Sequence, residues 1–283
     1  MQIIRLGLII SAAVALMLAT SPNSMAGDHY ISKKETVVIS GATALLFTAG
    51  HFVKKIDSTR SPLIHGPLPL EESLQHTLGG DYHPGKRNFL DSHTASAYTP
   101  VAFGVFLTAA DLRWPKGDRF KTTLQDGFLF TAGLLATKGI TDLAKGITAR
   151  PRPKIALESD SQTQNASADF ADNHHSFFSG HASSAFFAAT YLNKRVRSIM
   201  RTRLDEHEYR RWRWFPPIIL FGWSTYVGWS RIQAYEHYVS DVIVGAAVGY
   251  LTAELYYSYA GVPHFGARLA DNGATQLLIT FNF

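Results

Sequence analysis

A chain of 283 residues that is 46% hydrophobic, 12% aromatic and 17% charged is too apolar to be disordered and leaner in charge than an ordinary water-soluble enzyme. It contains no cysteine, which excludes disulfides, thiolate metal sites, a cysteine nucleophile and a lipidated N-terminal cysteine. The formal net charge of +5 favours anionic partners, whether nucleic acid, lipid headgroups or a phosphate-bearing substrate, without choosing among them.

In chain order, Arg5 precedes an apolar run from about Leu6 to Ala19 and a polar stretch ending Ser24-Met25-Ala26. That is the layout of a secretory signal, and its small residues place cleavage after Ala26. The alternative is an uncleaved N-terminal anchor, and in both cases the body of the chain lies outside the cytoplasm. From Val37 to Val53 there is no full charge, so this stretch reads as a helix that is buried or lies at a membrane. Between Lys54 and Ala97 the residues Pro62, Pro67, Pro69, Gly79, Gly80, Pro84 and Gly85 interrupt any period and predict irregular structure.

Helical apolar runs follow at about Val101 to Ala110, Gly127 to Thr137, Ala182 to Leu192, Ile218 to Trp229 and Val242 to Ala253. Each is nearer a dozen residues than the roughly 18 or more of a bilayer span, which favours a water-soluble helical bundle. The segment Lys194 to Arg213 is dense in Arg and Lys, with Trp212 and Trp214 beside it. It reads either as a dock for an anionic membrane surface or as a solvated connection between helices; no nucleic-acid-binding module surrounds it. The tail Thr275 to Phe283 alternates as a strand, which could form a small hairpin with Phe265 to Leu269. The expected architecture is all-α, a helical bundle with its site at converging helix ends. Its parts are a signal peptide (1–26), an N-terminal helix and irregular segment (27–97), the bundle (98–260) and a C-terminal tail (261–283).

Three clusters carry groups suited to chemistry on an anion. Six residues separate Lys145 from Arg152-Pro153; Pro151 and Pro153 turn the chain out of the helix that Lys145 ends, so that two cations converge. The alternative is a basic helix end complementing its own dipole. Ser179-Gly180-His181 opens an apolar helix, offering unpaired backbone amides to an anion or forming a plain helix cap. In the third cluster Ser230-Arg231 is followed by His237 and Asp241. On a helix the last two share a face, so the carboxylate can hold one imidazole nitrogen and leave the other as a lone pair. An ordinary helical pair is the alternative.

Together, in this order, the three clusters resemble the type 2 phosphatidic acid phosphatase and vanadium haloperoxidase superfamily. Its pattern is Lys, six residues, Arg-Pro; then Pro-Ser-Gly-His; then Ser-Arg, five residues, His, three residues, Asp. The chain departs from it once, with Phe178 where the family has proline. The resemblance covers roughly Gly127 to Tyr259 and implies that Lys145, Arg152 and Arg231, with Ser179 and the Gly180 amide, hold phosphate oxygens. It implies further that His237 attacks phosphorus, Asp241 orients it, and His181 protonates the leaving oxygen and then activates water.

That chemistry needs no cofactor, and vanadate is expected to act as an inhibitor or phosphate mimic. Asp160, Asp169, Asp172, His174 and His175 crowd one loop and read as loop residues rather than cation ligands. The resemblance implies a phosphoester hydrolase, periplasmic or membrane-associated facing the periplasm. Its partner would be a phosphate ester, lipid before soluble: phosphatidate, phosphatidylglycerol phosphate, undecaprenyl pyrophosphate or lipid A phosphates. The alternatives are a non-specific periplasmic acid phosphatase, a vanadium-dependent haloperoxidase, or a non-catalytic binder in which Phe178 marks a decayed site.

Overall fold

The computed structural model describes residues 31–56, 62–64, 66–82, 119–158, 173–260, 265–269 and 275–279. Eight helices lie among them: α1 (Lys33–Ile56), α2 (Glu71–Gly79), α3 (Arg119–Thr148), α4 (Pro153–Glu158), α5 (Gly180–Arg203), α6 (Glu206–Trp212), α7 (Phe215–Gln233) and α8 (Val239–Ser258). The expected all-α bundle is what the chain forms. Strands β1 (Phe265–Leu269) and β2 (Thr275–Ile279) pair antiparallel with Phe265 opposite Ile279, which is the small hairpin the alternating tail predicts. The signal segment 1–26, the run Val101 to Ala110, Asp160, Asp169, Asp172 and Thr280 to Phe283 lie outside the described residues.

Two expectations need correction. The segment after Lys54 is not irregular throughout: nine residues, Glu71–Gly79, form α2. Pro67 and Pro69 stand before the helix, Glu71 and Glu72 fill its first turn, and Gly80 at φ 72° ends it, so the same prolines and glycines that break periodicity bound a short helix. The apolar runs are also only the middles of longer helices, of 30 residues in α3, 24 in α5, 19 in α7 and 20 in α8. The flanking charges stay helical because each finds a partner. Lys138 meets Asp142 at 2.5 Å within α3, Lys194 meets Glu254 at 2.8 Å, and Arg195 meets Asp126 at 2.8 Å. At these full lengths α1 and α8 are long and apolar enough to cross a membrane.

The contacts fix helix directions. α1 runs parallel to α3, from Ile31 N–H on the Gln125 side chain at one end to Gly146 against Val53 and Lys54 at the other. α5 runs antiparallel to α3, with Tyr191 Oη donating to the Asp126 carbonyl and Thr141 meeting Ser183. α7 is antiparallel to α5, through Ser224 Oγ on the Ala185 carbonyl and Phe221 against Phe186. α8 runs parallel to α5. The C-terminal ends of α3 and α7 and the N-terminal ends of α5 and α8 therefore converge at one end of the bundle.

Between α1, α3, α5 and α8 lies the apolar core of Ile39, Leu46, Leu129, Leu143, Phe187 and Tyr256. Within it Thr43 and the Tyr256 hydroxyl satisfy each other at 2.7 Å. The outer faces are apolar as well: Val37 and Phe52 on α1, Leu124 on α3, Ile218 and Ile219 on α7, and Ile243 and Leu251 on α8 are exposed.

Glycines set the α5–α8 spacing. A Cβ on Gly249 would lie 2.1 Å from the Ser183 carbonyl oxygen, and one on Gly245 would lie 2.6 Å from that of Ser179, so the two backbones touch where Asp241 must reach the start of α5. Gly249→Ala is expected to destabilise the fold by about 1–3 kcal/mol through overpacking. Gly222→Ala, which meets nothing within 4 Å, should stabilise α7 by about 0.5–1 kcal/mol. Thermal unfolding of the two variants in the same detergent checks the contrast in sign.

Candidate active site

Polar loops between the converging helix ends are stitched together by backbone hydrogen bonds. Arg152 N–H donates to the Asn173 carbonyl at 2.9 Å, Ser176 N–H to the Arg150 carbonyl at 2.9 Å, Lys154 N–H to the Tyr235 carbonyl at 3.1 Å and Ser179 N–H to the Asp241 carbonyl at 3.0 Å. These bonds bring all three sequence clusters into one place. Ser179 caps α5 as expected, its side chain accepting from Ala182 N–H at 3.4 Å. Gly180 and His181 follow in the first turn, half-buried. Phe178, at the position where proline was expected, is buried beneath the cap, so its bulk packs into the protein and leaves the Ser-Gly-His turn formed.

Lys145 sits in the last turn of α3, its Nζ 3.9 Å from where a Gly180 Cβ would stand. Arg152 lies on the extended turn that Pro151 and Pro153 impose, with Pro153 opening α4. Its guanidinium pairs with Glu236, which Lys154 also meets at 2.9 Å. Arg231 is buried in the last turn of α7, and its carbonyl accepts Glu236 N–H at 3.2 Å.

His237 and Asp241 do not share a helical face, which corrects the expectation. Asp241 is in the first turn of α8, whereas His237 lies in the turn just before it. The chain bends there because Asp241 Oδ2 accepts Tyr238 N–H at 3.0 Å, capping the helix start and leaving His237 outside. Imidazole Nδ1 stands 3.8 Å from Asp241 Oδ2. That is beyond a hydrogen bond but near enough to become one on a shift of about 1 Å, the kind of tightening that substrate closure brings.

Burial pushes the His237 imidazole down, and the charges of Lys145 and Arg152 add to the effect. Asp241 pulls the other way without offsetting them, and the pKa falls to about 3. The ring is therefore neutral across the physiological range, with a lone pair for bond formation.

Residues that no motif marked complete the site. Asp241 is wholly buried. Its Oδ2 also accepts Ser176 Oγ–H at 2.5 Å, and its Oδ1 accepts from Arg150 Nη1 at 2.6 Å. Arg150 in turn meets Glu71 of α2 at 2.5 Å. Among the described residues three non-glycines take left-handed backbone angles, Leu70 (φ 76°), Ala149 (φ 46°) and Tyr235 (φ 53°), and they stand immediately before Glu71, Arg150 and Glu236. Such angles cost of order 1 kcal/mol or more each and gather where a side chain must be aimed. The signal in the sequence was the pair of arginines flanking Pro151. Arg150 stands outside the spaced pattern, and nothing local says that it points inward.

Chemically, the arrangement offers a neutral imidazole lone pair beside a helix N-terminus and cations, groups suited to acting on an anion. Residues 126–262 match the profile of the PAP2 superfamily. Phospholipid phosphatase 2 of Bos taurus is 30% identical over 146 residues, which is 47% of this chain and 49% of the relative. Phospholipid phosphatase 1 of Rattus norvegicus is 31% identical over 154 residues, 47% of this chain and 50% of the relative. Lipid phosphate phosphatase 1 of Arabidopsis thaliana is 30% identical over 144 residues, 46% and 42%. The chain spans about half the length of these curated relatives. A crystal structure of Aquifex aeolicus LpxE superposes with a TM-score of 0.39 and 19% identity, covering 67% of this chain and 96% of that one.

The depressed His237 pKa has a direct consequence. An unfolded chain would take up a proton near the ordinary value of about 6.5, while the folded chain resists until about pH 3. The contribution of His237 to stability is thus full above roughly pH 6.5 and is lost progressively as the pH falls toward 3. Imidazole ¹⁵N resonances assigned through His237→Gln should show no titration of this ring between pH 5 and 8, and the variant should lose less stability on acidification than the parent.

Proposed function

We propose that this chain, which belongs to the type 2 phosphatidic acid phosphatase (PAP2) superfamily, is a phosphatase that hydrolyses a lipid phosphate or pyrophosphate through a phosphohistidine, without a metal. What supports the reading most is one arrangement: a buried neutral imidazole, His237, with a carboxylate behind it, beside a serine-capped helix N-terminus and Lys145. A capped N-terminus offers amides to phosphate oxygens, and cations there neutralise the charge that builds on the equatorial oxygens.

In the first step the His237 Nε2 lone pair forms a bond to phosphorus as the bond to the leaving oxygen breaks and His181 gives that oxygen a proton. Lys145, Arg152, Arg231, Ser179 and the Gly180 amide hold the remaining oxygens, Arg152 exchanging Glu236 for the substrate. Asp241 steadies the positive charge on the phosphorylated ring. In the second step His181 takes a proton from water, the new oxygen bonds to phosphorus, the P–N bond breaks, and inorganic phosphate leaves.

The names of the relatives favour a lipid ester, and the surface agrees with one. Exposed apolar side chains on α1, α3, α7 and α8 occupy the stretch between the site end and the far end. The 24 residues of α5 span about 36 Å, enough to cross a hydrocarbon layer of about 30 Å. At the far end Trp212, Trp214 and Phe215 are exposed, with Arg211 over Trp212 and Arg213 over Trp214, an aromatic and basic rim of the kind found at a cytoplasmic bilayer face. The remaining charges of that segment are partly used internally, Lys194 on Glu254 and Arg195 on Asp126. A rim of that kind at the far end supports a site that opens on the periplasmic side.

Phosphate release in excess EDTA from phosphatidate micelles and from a soluble aryl phosphate should persist in the parent chain. It should fall by at least about 10³-fold in His237→Ala and be blocked by vanadate. A faster rate on phosphatidate marks a lipid phosphatase, and an equal or faster rate on the aryl ester marks an acid phosphatase. Turnover retained by His237→Ala would overturn the nucleophile.

A further inference from the structure

Arg150 is fully buried, and both of its terminal nitrogens are engaged. Nη1 donates to Asp241 Oδ1 at 2.6 Å and to Ser240 Oγ at 2.9 Å, Nη2 donates to Glu71 Oε2 at 2.5 Å and to the Gly66 carbonyl at 3.1 Å, and the guanidinium lies 4.1 Å from the centre of the Tyr238 ring. Glu71 is fixed in turn. Its Oε2 accepts Leu68 N–H at 2.5 Å, and its Oε1 accepts the N–H of Ser240, the residue before Asp241, at 3.3 Å. Side-chain exposure is 1% for Arg150, 6% for Glu71 and 0% for Asp241.

Burying three charges in this way carries a heavy desolvation cost for each ion, and apolar residues of similar volume stabilise a fold as well or better. Left-handed Leu70 and Ala149 add backbone cost directly before each member of the pair. The network therefore makes poor sense as a stability device and good sense as a geometric one. Arg150 holds Oδ1 of Asp241, and Oδ2 is the oxygen that faces His237 Nδ1. An arginine alone would also neutralise the carboxylate it holds. Glu71 draws on the same guanidinium from the other side, so Asp241 keeps its negative charge for the imidazole.

Building on the nucleophile reading of His237, we propose that Arg150 and Glu71 are a positioning pair: Arg150 sets the rotation of the Asp241 carboxylate, and Glu71 sets how much of its charge is left for His237. α2, which carries Glu71, lies outside the matched residues 126–262, so the N-terminal part of the chain completes the site.

Glu71→Gln is the test, because it keeps the shape and removes the charge. On phosphatidate micelles its kcat should fall about 10- to 100-fold, the usual effect of losing an outer partner, with KM within about twofold of the parent. The ¹⁵N resonances of His237 should show a single Nδ1–H tautomer in the parent and a mixture in the variant. Arg150→Lys, which keeps a charge but cannot bridge two carboxylates, should show the same split, while Glu71→Asp should recover part of kcat. Trp229→Phe removes only the indole bond to the Leu78 carbonyl that helps dock α2, 3.1 Å long, and should leave kcat unchanged.

Parental kcat and a parental tautomer in Glu71→Gln, with His237→Ala inactive, would overturn the positioning pair alone. Turnover in His237→Ala would overturn the nucleophile and this inference with it. Losses of kcat in both Glu71→Gln and Trp229→Phe, with an unchanged tautomer, would overturn the pair and reduce Glu71 to a docking residue. The tautomer readout decides the matter even if phosphatidate is not the substrate.

Discussion

A carboxylate with no exposure to water, that of Asp241, is the constraint around which this molecule is arranged. Left without donors it would cost more than a marginally stable fold can bear. It draws them from three directions: the start of its own helix through Tyr238 N–H, the 173–176 loop through Ser176, and the end of α3 through Arg150. Each donor fixes the segment that carries it. The turn holding His237, the loop leading to Ser179 and the turn leading to Arg152 are therefore all oriented by one buried anion, and the chemistry sits where their ends meet.

The helices outside that centre obey a different rule. Their inner faces pack through small residues and aromatic rings, while their outer faces carry Val, Ile, Leu and Phe with no protein partner among the described residues. In water this surface would be a liability. Charge is concentrated instead at the two ends, where one collects the cradle and the other the arginines beside exposed tryptophans. The division into an apolar middle and charged ends and the placement of the site are one feature, because the helix termini that offer their groups to an anion are also the termini that leave the apolar layer.

Much of the site could be read from sequence because Lys145, Arg152, Ser179, Gly180, His181, Arg231, His237 and Asp241 stand at fixed spacings near helix ends, where proline and glycine punctuation is legible. The helix termini brought them together as the spacing implies. The four-residue interval between His237 and Asp241 predicts a shared helix, but the carboxylate spends one oxygen on the helix start, and that competition is local and invisible to periodicity. Helix lengths were underestimated for a related reason. Lys138, Lys194 and Arg195 look like helix ends until their carboxylate partners are known, and two of those three partners are on other helices. Arg150, Ser176 and Glu71 escaped because they act across 91, 65 and 79 residues, and no short pattern encodes such pairings.

That last separation bears on how the chain can be cut and how it is made. A segment chosen to contain every spaced motif, starting anywhere after α2, would include Arg150 and Asp241 but not Glu71, and would leave a buried guanidinium with one carboxylate instead of two. The stretch that looks self-sufficient is not a transplantable module. During synthesis Glu71 emerges first and must wait for Arg150, and the two together must wait for Asp241. Glu71 on the short helix α2 therefore finds its full set of partners only once the final long helix is in place.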